Sequence, residues 1–203
     1  MLGGVIVKDF SASNKWYELR RNIGLKEELD EVFMEFFKTL EHSDLCTNGD
    51  IDSFLPVFAE KFGLNFSKQY SMLLDFVDRF EKNPSIWPVL RHIKRKYHIG
   101  LLTNMYPRMF RAIQDKGLFP PIEWDVIIDS SVVGLRKPDK AIFDLAEKIA
   151  QVKKEEILFV DNSEKNIEAA SHFGWQTFLY DSKSLEKSSK ELMKKFRQLC
   201  TVR

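Results

Sequence analysis

The sequence predicts an α/β protein, a Rossmann-like core built on a parallel sheet, with a block of α-helices inserted near its start. Three observations lead there. Apolar runs such as Ile157, Leu158, Phe159 and Val160 end in polar residues and pass directly into bracketed helices. Such strand–helix units repeat from about residue 86 onward, the mark of βαβ connections in a parallel sheet. Between residues 11 and 84 the texture changes to phenylalanine-rich stripes at helical spacing. The expected division is therefore a core of residues 1–10 and 85–203, and a helical cap of residues 11–84.

In chain order, Val5, Ile6 and Val7 suggest a brief strand behind Gly3 and Gly4. The inserted block offers three apolar faces: Leu29, Val32, Phe33, Phe36, Phe37 and Leu40; then Phe54, Leu55, Phe58, Ala59 and Phe62; then Tyr70, Leu73, Leu74, Val77 and Phe80. Turn-like breaks at Asn48-Gly49-Asp50 and Gly63-Leu64-Asn65 separate them. A strand is expected over residues 98–102, ending in Thr103-Asn104, with a helix over 107–116 closed by Gly117. Another strand, 124–128, ends at Asp129. It leads through Gly134-Leu135-Arg136-Lys137-Pro138 into a helix with Ile142, Leu145, Ala146 and Ile149 on one face. The run 157–160 delivers Asp161 to the carboxyl end of its strand, where open α/β sheets bind ligands. Ser163 and Gly174 bracket the helix that follows, and 176–180 supplies a further strand. An amphipathic helix over 184–200 turns Leu185, Leu192, Phe196 and Leu199 inward and leaves Lys187, Lys190, Lys194 and Lys195 as a solvated face.

Bulk properties narrow the function. The chain has 203 residues, 31 Lys and Arg against 30 Asp and Glu, and a formal net charge of +1. That balance provides no broad field for a polyanion, so neither a nucleic-acid nor a membrane partner is expected. No stretch approaches the roughly 20 apolar residues of a membrane span, and no signal peptide is visible, which makes the cytoplasm the expected compartment. Cys46 and Cys200 read as free thiols, and His42, His92, His98 and His172 show no metal-ligand spacing.

Thr103-Asn104, Lys137-Pro138-Asp139 and the run from Phe159 to Ser163, in this order and spacing, resemble motifs two, three and four of the haloacid dehalogenase (HAD) superfamily. The match extends to Asn166, Ala169 and Ala170, and the inserted helices are similar to the cap of its subfamily I. Near the start, Gly3-Gly4-Val5 resembles the segment just after the family's nucleophile, so Met1 stands where an aspartate belongs. The family's central strand precedes that aspartate, and the expectation is that this sequence begins late relative to its ancestor.

The resemblance implies a Mg²⁺-dependent phosphohydrolase acting on a small phosphorylated metabolite through an aspartyl intermediate. Lys137 would neutralise the nucleophile and the transferring group, Thr103 would hold a phosphoryl oxygen, Asn104 would add an amide donor to the phosphate or shape the loop, and Asp161 would bind the metal. Asn162 stands where many relatives carry a second aspartate. The chain as given should then turn over little or nothing. Two alternatives are a catalytically silent HAD-fold binding module and a metal-independent dehalogenase. A shifted register would make Asp9 the nucleophile, at the expense of the Gly-Gly-Val match and with Lys8 in a buried strand.

Overall fold

The computed structural model describes residues 1–201, with side chains through Gln198. The inward placement expected of Leu199 and the thiol of Cys200 fall outside these side chains. A two-residue strand β1 (Val7–Lys8) is followed by helices α1 (Lys15–Asn22), α2 (Asp30–Leu40), α3 (Leu55–Phe62) and α4 (Met72–Asp78), then β2 (Glu81–Lys82), which pairs antiparallel with β1. Next come α5 (Trp87–Lys94), β3 (Gly100–Thr103), α6 (Met109–Asp115), β4 (Val126–Asp129), α7 (Ser130–Val133) and α8 (Lys140–Ala150). The chain closes with β5 (Leu158–Asp161), α9 (Glu164–His172), β6 (Gln176–Leu179) and α10 (Leu185–Thr201).

The four strands expected after residue 86 are present, each beginning or ending within a residue or two of its predicted bounds. β3 pairs in parallel with β4, matching Thr103 to Asp129, and β5 with β6, matching Asp161 to Leu179. Side chains alternate across these strands as a buried sheet requires. Leu101 belongs to one apolar cluster and Leu102 to another; Phe159 sides with Leu102, while Leu158 and Val160 pack on the first. The second cluster is aromatic, with Phe143, Phe159 and Trp175 meeting edge to face.

Among the described residues no strand pairs with the other edge of β3 or of β5. Between them lies a cavity of about 200 Å³, lined by Leu101, Leu102, Leu158, Val160, Met1 and Ile6 among others. The short strand expected over Val5, Ile6 and Val7 is largely replaced by a tight turn. The N–H groups of Ile6 and Val7 both donate to the Leu2 carbonyl, at 2.8 and 3.1 Å, so only Val7 extends. This turn rests on two glycines. A Cβ on Gly3 would stand 2.2 Å from Asp9 Oδ2; one on Gly4, whose φ is +75°, would stand 2.1 Å from Asn162 Nδ2. Gly4→Ala is therefore expected to cost about 1–2 kcal/mol in backbone strain alone, and more once Asn162 is displaced. Urea unfolding measures it, and an unchanged midpoint would show that the turn is not held as described.

The inserted helices bury Phe33, Phe37, Phe58, Phe62 and Phe76 in one aromatic cluster with Trp16. Two residues predicted for their inner faces point outward: Val32 is 50% exposed and Leu74 51%. An α-helix this short presents a narrow stripe, and in α2 Phe33, Phe37 and Leu40 already fill it.

Candidate active site

The carboxyl ends of β3 and β5 meet through a single loop. Asn104, one residue past β3, clasps the Lys137 backbone from both sides: its Nδ2 donates to the Lys137 carbonyl and its Oδ1 accepts from the Lys137 N–H, each at 2.9 Å. Lys137 is thereby aimed at Asp161, the last residue of β5, and donates to Asp161 Oδ2 at 2.6 Å. Both side chains are wholly buried. Lys137 Nζ also lies 3.0 Å from Met1 Sδ. Thr103 is fully buried at the head of β3, its hydroxyl 3.4 Å from the Asn104 carbonyl. The four residues singled out from the sequence thus stand at one edge, with Lys137 bonded to Asn104 and Asp161 and Thr103 adjoining through the backbone.

The second oxygen of Asp161 is equally engaged, accepting from the Ser163 N–H at 2.9 Å and from Asn166 Nδ2 at 3.1 Å. Burial alone would push the Asp161 carboxyl up. The Lys137 ammonium, the Met1 amino group and these hydrogen bonds outweigh it and hold the carboxyl below its usual value. Burial likewise draws Lys137 below the ordinary lysine range, opposed by Asp161.

Magnesium prefers near-octahedral oxygen ligands, commonly one or two carboxylates with waters. Here the pocket offers one carboxylate with both oxygens taken, and Asn162 Oδ1 as the one buried oxygen beside it without a hydrogen-bond partner. Among the described residues no group of three or more His, Cys, Asp or Glu could hold a metal. As arranged, these side chains do not fit the ion, and Asp161 serves as the counter-ion of Lys137.

Outside this buried core opens a cavity of about 720 Å³, walled by Met1, Asp9, Asn104 and Arg136 from one side and by Lys38, Glu41 and Cys46 from the inserted helices. Asp9 accepts from the Ser11 N–H at 2.8 Å, and burial raises its carboxyl. The Cys46 thiol is pushed up to about 12 by burial. Tyr106 donates to Glu41 Oε1, and Arg136 donates to the Glu41 carbonyl at 3.0 Å. Sequence reasoning missed this cross-link. Arg136 beside Lys137 was its one visible signal; Glu41 and Tyr106 gave none.

Burial also raises the Glu41 carboxyl, despite the Tyr106 hydrogen bond and the nearby Arg136 and Lys38 charges. A carboxyl with a raised folded pKa favours the native state while protonated, and that advantage fades as pH climbs through the folded value. Glu41→Gln is accordingly expected to gain on the parent as pH rises from 4.5 to 7. Thermal midpoints of both proteins across that window test it; parallel curves would refute it.

A family model for haloacid dehalogenase-like hydrolases matches residues 11–174. No curated protein matches the sequence. Solved structures share the fold. A HAD family enzyme from Bacteroides thetaiotaomicron, an aspartate-to-alanine mutant in complex with magnesium and inorganic phosphate, superposes with a TM-score of 0.69 at 19% identity, covering 89% of this chain and 91% of its own. A predicted HAD-like hydrolase from Porphyromonas gingivalis gives 0.63 at 20% identity, covering 88% and 87%. An L-2-haloacid dehalogenase gives 0.62 at 17%, covering 87% and 79%. With the family model spanning most of its length and its strand ends converging on Lys137 and Asp161, the chain belongs to the haloacid dehalogenase-like hydrolases.

Proposed function

We propose that the pocket around Lys137 handles the phosphoryl group of a small phosphorylated metabolite, that residues 11–84 form the cap selecting it, and that Met1 keeps turnover negligible. The observation that carries this reading is Lys137 Nζ held between Met1 Sδ at 3.0 Å and Asp161 Oδ2 at 2.6 Å. A buried ammonium suits a phosphoryl oxygen, and Thr103 ends the strand that leads to the Asn104 clasp on Lys137. What faces that ammonium, where the family resemblance places the nucleophile, is a thioether. It carries no charge and no proton to lose, and in water it does not form the acyl phosphate that covalent hydrolysis needs.

A panel of small phosphomonoesters, assayed with and without magnesium, is expected to show turnover barely above the uncatalysed rate. Inorganic phosphate is expected to raise the thermal midpoint, since a ligand that binds only the native state stabilises it. No shift at millimolar phosphate would remove the phosphoryl reading. Robust turnover abolished by Asp9→Asn would transfer the nucleophile to Asp9. One feature favours a dehalogenase instead: Asp161 is closed by Lys137 rather than left open to a cation. Release of halide from a 2-haloacid, with phosphomonoesters untouched, would select that alternative.

A further inference from the structure

A second large cavity lies away from the Lys137–Asp161 pair, between the start of α5 and the outer face of α10. This groove of about 1290 Å³ is lined by Lys8, Lys183, Lys187, Lys190, Lys194 and Arg197, against only two carboxylates, Glu186 and Glu191. The whole chain carries a net charge of only +1, so the groove concentrates positive charge that the rest of the molecule offsets. Lys8 pairs loosely with Glu81 at 3.9 Å, and none of the other five cations makes an ion pair within 4.0 Å among the described residues.

The pattern along α10 is regular. Lys187, Lys190, Lys194 and Arg197 recur every three or four residues and fall within about a quarter turn of the helix. Glu186 and Glu191 flank this stripe on either side, while Leu192 and Phe196 are buried on the opposite face. The wall is rigid. Ser189, 3% exposed, bonds Ser85 Oγ at 3.0 Å and the Tyr180 hydroxyl at 2.7 Å, and buried Asn83 donates to that same hydroxyl and to the Val5 carbonyl. The floor is aliphatic, with Pro88, Val89, Leu185 and Met193.

We infer that this groove is a docking site for an acidic amphipathic helix of a partner protein. Size supports a polypeptide over a metabolite. The volume exceeds the roughly 300–1,000 Å³ of small-molecule sites, and ten residues of helix occupy on the order of 1,200 Å³. Period supports a helix, because carboxylates at three- and four-residue spacing meet cations at the same spacing while leucines cover the aliphatic floor. A nucleic-acid strand fits less well: no aromatic ring lines the groove for bases to stack on, and the flanking glutamates repel a wide phosphate backbone.

The test uses the full chain and a fluorescein-labelled helical peptide with glutamates at three- and four-residue intervals and leucines between. Fluorescence anisotropy is expected to show saturable binding that weakens as salt is raised. The same peptide with glutamine for glutamate should bind at least about tenfold more weakly, and Lys187→Glu with Lys194→Glu should lose the acidic peptide by a similar factor. Circular dichroism of that variant establishes that it is folded. Absence of binding, equal binding of the glutamine peptide, or retention by the folded variant each overturns the proposal. Tighter binding of an oligothymidylate of matching length would assign the groove to nucleic acid and overturn it equally.

Discussion

Met1→Asp, made with an initiator methionine added ahead of it, is expected to raise phosphomonoester turnover at least about 10³-fold over the unaltered chain. The magnitude follows from enzymes of covalent mechanism, in which loss of the nucleophile removes most of the acceleration and leaves a residual rate from binding and electrostatics. The cation that would face the phosphoryl group is in place. Lys137 is aimed by Asn104 and anchored by Asp161, and the Met1 side chain already reaches within 3.0 Å of the ammonium. A carboxylate at this position would share Lys137 with Asp161. Two carboxylates on one lysine leave a net negative charge that raises the proton affinity of one of them, so rates should be compared with and without magnesium and across pH. Turnover that stays at background under all these conditions would end the assignment of position 1 to the nucleophile. The Asp9→Asn change in the same background should leave the gained rate intact.

Lys137→Met is expected to destabilise the fold by about 3–5 kcal/mol, the usual penalty for leaving one member of a buried ion pair alone. Both side chains of the pair are wholly buried, so no solvent is at hand to soften it. Removing both charges, with Lys137→Met and Asp161→Leu together, should recover most of the loss, because well-packed apolar substitutes of similar size often replace such a pair without net cost. The pH dependence provides a check. In the parent, Asp161 is held below the ordinary carboxylate range, so it contributes stability above that range and loses it as pH falls through the folded value. In the single variant the unpaired carboxyl is pushed up by burial and protonates sooner, and the difference between the two proteins should narrow toward acid pH. Urea unfolding from pH 4 to 8 measures both effects. A single variant as stable as the double one at neutral pH would mean that Asp161 is solvated or paired elsewhere.

The outline of the fold was legible because strand and helix signals here agree with each other. Continuous apolar runs ending in Thr103 and Asp161 call for cover on both faces, and Leu101 and Leu102 do serve two different cores, whereas the run ending in Asp129 leaves Ile127 41% exposed. The site residues were legible as a set, since Thr103, Lys137 and Asp161 each stand where a strand or its loop ends. Their partners were not. Spacing cannot tell whether Asn104 offers its amide to a ligand or spends both ends on the Lys137 backbone, as it does here. Nor can it show that Asp161 accepts from three donors, because Ser163 and Asn166 reach it only once α9 is folded. Periodicity over-counted inner faces as well, since Val32 and Leu74 sit at the margins of stripes already filled by larger neighbours.

The break between β3 and β5 bears on how the molecule carries mechanical load. A continuous sheet resists shear through rows of backbone hydrogen bonds that must rupture together. Among the described residues no such row crosses from β3 to β5, and the two are joined by side-chain packing around Met1 and Ile6 and by the Lys137 bridge to Asp161. Packing contacts let go one at a time, whereas the Asn104 clasp on the Lys137 backbone and the Lys137 bond to Asp161 form a polar tie between the ends of β3 and β5.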